Sequence, residues 1–356
     1  MEKFAVVSLP DGGERIIKRH PVLKRLPQVY ACRCLKYITA QVSGIIYDKD
    51  TNSELGYMLD VPGFFIDWDK LTPHERMKQL AGIVKRLDEL GISTLCFPFA
   101  GDYISKEEAE WIEDEGITIL DGLMIRLAGL FQAVGNILVI VQKDLPFFEV
   151  GIWGADTDIG RTWVEFLADR VNKLCIGGRD PRVLQFLADR VLKSTGLSCQ
   201  IAVDAESCIK NKHLLVLAED VGMIFPRQQS INILSYPGGL IDGRDLPEGP
   251  GVFFLQSGWL DFPRDLAVAF QLKPVEELGV IEGLFYCISK VYREELFISR
   301  ISLTQIRRVQ ALFGLYPMKL MGYIAKDKKI AFDSFRKSYY QNRRRGLSEQ
   351  HMDWGN

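Results

Sequence analysis

Between Phe148 and Asp180 the chain reads FEVGIWGADTDIGRTWVEFLADRVNKLCIGGRD. This is an apolar run, a glycine turn, an amphipathic stretch, a second apolar run and then an arginine. Gly154, Thr157 and Gly160 stand where a phosphate-cradling strand–turn–helix carries three glycines. The first glycine of such a turn makes the tight bend, the second lets a pyrophosphate approach the backbone, and the third allows helix and strand to pack closely. Gly154 and Gly160 can fill the first and third roles. Thr157 places a Cβ and a methyl group where the pyrophosphate would come close. Its hydroxyl either bonds phosphate at the helix N-terminus, where anions are favoured, or the side chain blocks the approach. The candidate cradle is therefore Gly154, Ala155, Asp156, Thr157, Asp158, Ile159 and Gly160. The acid expected after the second strand for an NAD ribose is missing. Gly178-Arg179 stands there, and an arginine in that place suits the 2′-phosphate of NADP, so the expected cofactor is NADPH. The bland alternative is a sheet of the same kind that holds no cofactor.

The elements that must position this turn can be read on both sides of it. VSGIIY (Val42 to Tyr47) and LGYMLDV (Leu55 to Val61) predict two strands joined by a polar hairpin loop. Thr72-Pro73-His74-Glu75 predicts a capped helix start, and Gly91 its stop. Ser93 to Phe97 predicts a strand, Ser105 with Glu108 another capped helix, and Ile117 to Leu120 another strand. Strand and helix thus alternate from about 40 to 120, the pattern of an α/β domain. Beyond the glycine turn, apolar runs at Lys173–Gly177, Cys199–Asp204, His213–Glu219, Ile231–Tyr236 and Gly251–Leu255 predict a doubly wound parallel sheet. Tyr236, with Gly238-Gly239, closes one of these strands and Gln256-Ser257-Gly258 another. At strand C-termini such residues border a cofactor cleft, although glycine there is equally ordinary turn chemistry. Tyr236 and Gly238 are kept as candidate cofactor contacts. The hexapeptide FLADRV occurs at Phe166–Val171 and Phe186–Val191. It predicts two successive helices that face one sheet with similar residues. Val275 to Glu295 and Ser302 to Phe313 predict helices, the second started by a Ser302/Gln305 capping box. The segment after Phe335, with Arg343-Arg344-Arg345, reads as a solvated flexible tail.

The 356 residues suffice for two domains with their own cores. A net charge of −2 and a hydrophobic content of 47% give no global reason to expect nucleic-acid binding. Leu123 to Val141 approaches membrane-spanning length, but Arg126, Gln132 and Asn136 interrupt it, so a buried helix is expected rather than a span. The start of the chain lacks an apolar signal-peptide region. Seven cysteines without a CxxC pair argue against a disulfide framework and against a zinc ribbon, and the expected setting is reducing and cytoplasmic. His20, His74, His213 and His351 sit in no catalytic pattern, and no metal site is expected.

Taken in order, several segments resemble the long-chain acyl-carrier-protein reductases and the related predicted amino-acid dehydrogenases. They are GYMLDVP (Gly56 to Pro62), LDELGISTLCFPFAG (Leu87 to Gly101), GADTDIG (Gly154 to Gly160), Arg179, SYPGG (Ser235 to Gly239), GLFYCISK (Gly283 to Lys290) and SRISLTQIRRV (Ser299 to Val309). The resemblance is distant and spans roughly residues 40–325. It implies NADPH-dependent reduction of an acyl thioester to an aldehyde, with the acyl group carried on a cysteine. The matching cysteine is Cys287, which would act as a thiolate nucleophile. From the residues alone, Cys287 shares an apolar helix face with Leu284, Ile288 and Val291, and a core role is the ordinary reading. The family carries an acid three residues after this cysteine. Here Lys290 stands there, either lowering the thiol pKa from one helical turn away or reaching into solvent. The family's Thr-Gly-Asn before the long apolar helix is Asp121-Gly122-Leu123 in this chain. With Thr157, these departures leave the family's substrate in question.

The expected architecture is α/β throughout. An N-terminal α/β substrate-side domain (1–145) precedes a Rossmann dinucleotide domain (146–275), C-terminal helices (276–334) pack back on the cleft, and 335–356 is a tail. The leading functional expectation is an NADPH-linked reductase of an acyl thioester or related carbonyl, possibly presented on a carrier protein, with Cys287 and Lys290 as the catalytic pair. The alternatives are a non-catalytic dinucleotide-binding or sensor protein, and an oxidoreductase like shikimate dehydrogenase with no covalent step.

Overall fold

A computed structural model describes residues 2–8, 16–17, 20–65, 68–141, 148–219, 230–235, 251–263, 265–268, 272–296, 300–316, 318–325 and 328–352. In chain order the strands and α-helices are β1 (Phe4–Ser8), α1 (Gln28–Cys34), β2 (Gln41–Asp48), β3 (Glu54–Asp60), α2 (Pro73–Leu90), β4 (Thr94–Cys96), α3 (Lys106–Asp114), β5 (Thr118–Leu120), α4 (Leu123–Val141), β6 (Glu149–Trp153), α5 (Asp158–Leu167), β7 (Lys173–Gly177), α6 (Pro181–Thr195), β8 (Cys199–Ala202), α7 (Ala205–Ile209), β9 (Leu214–Leu217), β10 (Ser230–Leu234), β11 (Val252–Leu255), β12 (Ser257–Leu260), β13 (Leu266–Val268), α8 (Pro274–Ile288), α9 (Lys290–Leu296), α10 (Leu303–Leu315), β14 (Leu320–Ala325), β15 (Lys328–Ala331) and α11 (Phe332–Met352).

The chain divides into two compact units, 1–125 with 262–294 and 126–261 with 295–356. This differs from the expected cuts at 145 and 275. From Arg126 onward α4 groups with the second unit, and the C-terminal helices are shared out, α8 to the first unit and α10 and α11 to the second. The cause is packing. Gly129 of α4 and Gly258 of β12 approach backbone to backbone, so that a Cβ on Gly258 would lie 2.5 Å from the Gly129 carbonyl oxygen. Phe131 of α4 also stacks on Trp163 of α5 at 3.8 Å. The long apolar helix is thus a core helix, with 72% of its most apolar window buried. Gly258, read from sequence as possible cleft chemistry, is accounted for by this helix contact.

The first unit holds a six-stranded sheet in the order β13-β2-β3-β1-β4-β5. β2 and β3 form the expected antiparallel hairpin, while β1, β3, β4 and β5 run parallel. β1 was not read from sequence. It is the wholly buried FAVVS, a short continuous apolar run without the alternation that marks a half-exposed strand. Thr72 and Ser105 cap α2 and α3 through full capping boxes, as their spacing predicts.

The expected single helix from 275 to 295 is broken. Ser289 adopts an extended conformation at φ −114°, ψ 109°, and ends α8 before α9 starts. The break lets the fully buried Glu282 act as a tie. Its Oε2 accepts the Gly122 N–H at 2.7 Å, and its Oε1 accepts the Tyr292 hydroxyl at 2.8 Å. A charge this deep is tolerated when its oxygens are bonded, and it fixes the turn after β5 against α8 and α9. Burial and the Glu282 charge hold the Tyr292 phenol well above its ordinary pKa.

The second unit carries the parallel sheet β11-β10-β9-β6-β7-β8. Counted from β6, this is the order 3-2-1-4-5-6 of a dinucleotide-binding Rossmann sheet. An antiparallel β12-β14-β15 sheet accompanies it. The expected flexible tail is instead helix through Met352. Phe335 and Tyr339 are buried, and Phe335 packs against Phe253 and Tyr323. Phe335 and Tyr339 come one helical turn apart and so share the buried face of α11. In the repeated hexapeptide, Phe166 is buried but Phe186 is 70% exposed, so the two copies do not present the same face.

Candidate functional site

The sheet of the second unit changes direction at β6, which pairs with β7 on one side and β9 on the other. Such a switch point opens a crevice at the strand C-termini, and the Gly154 turn lies there. Gly154 has φ +77°, a left-handed conformation that suits glycine. A Cβ on it would also come within 2.9 Å of the Glu219 Cβ. The Ala155 N–H bonds the Gly177 carbonyl at 2.9 Å, locking the turn to the end of β7. Gly160 allows the closest approach, since a Cβ there would lie 2.0 Å from the Gly154 carbonyl oxygen. Gly154 and Gly160 therefore fill the two roles read from the sequence.

Thr157 has a different role from either one expected of it. Its hydroxyl donates to the Gly154 carbonyl at 2.7 Å and accepts the Gly160 N–H at 3.0 Å. It is the N-cap of α5, and its only proton is committed inside the turn. The Thr157 N–H is likewise bonded to Gly154. Of the four N–H groups that a helix start leaves without intrahelical partners, those of Asp158 and Ile159 meet no partner among the described residues. The Ala155 and Ile159 side chains are buried in the core, so these residues offer a ligand backbone only. Asp158 is part-exposed and lies 3.7 Å from Arg161. Losing the cap in Thr157→Ala should cost about 1 kcal/mol, and Thr157→Ser should retain it; urea unfolding measures both.

Asp156 ties the turn to the strand beyond. Its Oδ2 accepts the N–H groups of Arg179 and Asp180, each at 2.9 Å. Its Oδ1 is buried and meets no hydrogen-bond partner among the described residues. Gly178 makes room for it, because a Cβ there would sit 2.1 Å from that oxygen. The Arg179 guanidinium bonds Glu219 Oε1 at 2.6 Å. Glu219 Oε2 is also buried without a partner among the described residues. Arg179 and Glu219 thus join the ends of β7 and β9 on either side of the glycine turn. In the sequence Glu219 reads only as the last residue of a strand. The signal available was an acid directly after the strand that neighbours β6. Tyr236 and Gly238 lie outside the described residues.

Cys287 and Lys290 belong to the first unit, on either side of the Ser289 break. The Cys287 side chain is buried. Burial, reinforced by the Glu2 carboxylate, pushes its thiol up to about 11, which disfavours the thiolate. Lys290 is solvent-exposed and pairs with Glu294 at 3.6 Å. With the helix broken between them, the expected activation of Cys287 by Lys290 one turn away is not formed. His213 accepts the Glu149 N–H through Nδ1 and stacks on Phe148, a structural role. Among the described residues no group of three or more His, Cys, Asp or Glu side chains could hold a metal ion.

No family model matches the chain, and no curated protein does. Among solved structures, it is similar to an L-tryptophan dehydrogenase from Nostoc punctiforme at 12% identity, covering 96% of this chain and 88% of that one, with a TM-score of 0.38. A dipicolinate synthase component from Bacillus halodurans aligns at 13% identity over 81% and 98%, with a TM-score of 0.33. A 5-ketofructose reductase of Gluconobacter sp. strain CHM43 aligns at 10% identity over 88% and 98%, with a TM-score of 0.27. At these scores the likeness decides nothing about this chain, whose fold and candidate site rest on its own sheet order and on the Gly154 turn at the switch point of that sheet.

Proposed function

We propose that the second unit binds a nicotinamide dinucleotide and that the chain is an oxidoreductase transferring hydride between that cofactor and a carbonyl substrate. The observation that carries the binding is the Gly154–Gly160 turn at the switch point of a 3-2-1-4-5-6 sheet, with glycines where no Cβ fits. The Asp158 and Ile159 N–H groups would hold the pyrophosphate, favoured there by the α5 dipole. The bound nicotinamide supplies the hydride chemistry.

The adenosine end favours NADH over the NADPH expected from Arg179 alone. Asp156 Oδ1 is a buried acceptor without a donor among the described residues, and a ribose hydroxyl supplies one. A 2′-phosphate would have to draw Arg179 away from Glu219 and would sit beside two carboxylates, Asp156 and Glu219. Like charges brought together in a partly desolvated cleft are costly.

Hydride transfer in this reading is direct. The covalent route implied by the sequence resemblance needs a Cys287 thiolate, and a buried thiol held near 11 disfavours one. Incubation with a labelled acyl thioester should leave Cys287 unmodified. Transfer of deuterium from 4-deuterated NADH to a panel of aldehydes, keto acids and acyl thioesters should proceed equally in wild type and Cys287→Ser. A labelled Cys287 adduct, together with loss of transfer in the serine variant, would restore the covalent mechanism.

A further inference from the structure

From residue 15 to residue 47 the chain holds Arg15, Lys18, Arg19, Lys24, Arg25, Arg33 and Lys36, and no Asp or Glu. This segregation stands out in a chain whose net charge is only −2. The described part of the segment folds on a small core of its own, made by Ile16, Leu23, Ala31 and Leu35. That core leaves other apolar side chains outside. Val22, Val29, Tyr30 and Tyr37 are each more than half exposed, and Leu26 is exposed as well. The basic residues lie between them: Lys24 and Arg25 end a short 3-10 turn, and Arg33 follows Val29 by one turn of α1. Lys36 is engaged by Glu75 at 2.7 Å. Lys24, Arg25 and Arg33 have no ion-pair partner among the described residues.

We propose that Val22–Tyr37 is a docking surface for an anionic lipid bilayer, on which the protein sits peripherally. Interleaved basic and apolar side chains are the composition of a membrane-surface element. Lys24, Arg25 and Arg33 meet lipid phosphates while valine, leucine and tyrosine enter the headgroup boundary, where tyrosine is at home. A second copy of this chain is a poor occupant, because the contact would set Lys24, Arg25 and Arg33 against the same cations of the other copy. A nucleic acid would use the cations and tyrosines but leaves Val22, Leu26 and Val29 with nothing to bury against.

The test is sedimentation of the full chain with phosphatidylcholine vesicles, with and without phosphatidylglycerol. Partition onto the anionic vesicles alone is expected. The triple variant Lys24→Gln, Arg25→Gln, Arg33→Gln should weaken it on the order of a hundredfold. The double variant Val29→Ser, Tyr30→Ser keeps every charge and should weaken it roughly tenfold. A tryptophan in Tyr30→Trp should shift its emission to the blue on the anionic vesicles. All five positions are exposed, and thermal melting checks that each variant folds as the wild type does. Absence of partition, or equal partition of the triple variant, overturns the proposal. So does full binding by the double variant that salt abolishes, which would assign the surface to an acidic macromolecule.

Discussion

Gly160→Ala is expected to weaken dinucleotide binding on the order of a hundredfold and to lower the melting temperature of the chain. The added methyl would sit 2.0 Å from the Gly154 carbonyl oxygen, and that atom is backbone, so no side chain can rotate away to make room. Either α5 moves off the turn or the turn opens, and both displace the Asp158 and Ile159 N–H groups from their present directions. Overpacking of this kind costs about 1–3 kcal/mol in stability, and displacement of about an ångström at a binding constellation costs about two orders of magnitude. Gly196→Ala is the control. Gly196 has a positive φ, +77°, at the C-cap of α6, and a Cβ there meets nothing within 4 Å. It should cost roughly 1 kcal/mol through backbone strain and leave dinucleotide affinity unchanged. Isothermal titration, paired with thermal melts, separates the two variants.

Glu219→Gln is expected to move cofactor preference toward NADPH by about tenfold. The wild-type carboxylate acts twice against a 2′-phosphate: it engages Arg179 at 2.6 Å and it adds a negative charge beside the phosphate. Arg179 is largely exposed, so breaking the ion pair itself costs at most about 1 kcal/mol, and the rest of the shift comes from removing the repulsion. NADH affinity should change little, because its ribose hydroxyls need no cation. Arg179→Ala should leave NADH binding intact and abolish the NADPH gained by Glu219→Gln. Equal gains for both cofactors in Glu219→Gln would show that Glu219 only narrows the cleft.

The parallel sheet of the second unit was legible because each of its strands is a short apolar run ended by Gly, Asp or a turn, and because Gly154 and Gly160 mark where the first strand turns into a helix. The capping boxes at Thr72, Ser105 and Ser302 were legible for the same reason, as their signal lies within four residues. What escaped depends on partners far away in sequence. β1 pairs with Gly56–Asp60 and Leu95–Cys96, and nothing within FAVVS tells of either. Glu282 looks like a helix-surface acid until Gly122, 160 residues earlier, is brought to it. Arg179 reads as a phosphate ligand from sequence, and its ion pair with Glu219, 40 residues later, shows only in the fold. Cys287 was assigned a role by resemblance, and its burial, which decides whether a thiolate forms, is a property of the packed unit. The domain cuts moved because Gly129 and Gly258 each read as an isolated glycine, and only their contact commits α4 to the second unit.

Titration of the full chain with NADH and NADPH, followed by nicotinamide fluorescence, tests the central claim most directly. The expected result is saturable binding at one site per chain, tighter for NADH, lost in Gly160→Ala and kept in Gly196→Ala. Absence of saturable binding of either dinucleotide by the folded wild-type chain would contradict it, and would leave the Gly154 turn as a packing device in a sheet that has kept the order of a cofactor domain without its ligand.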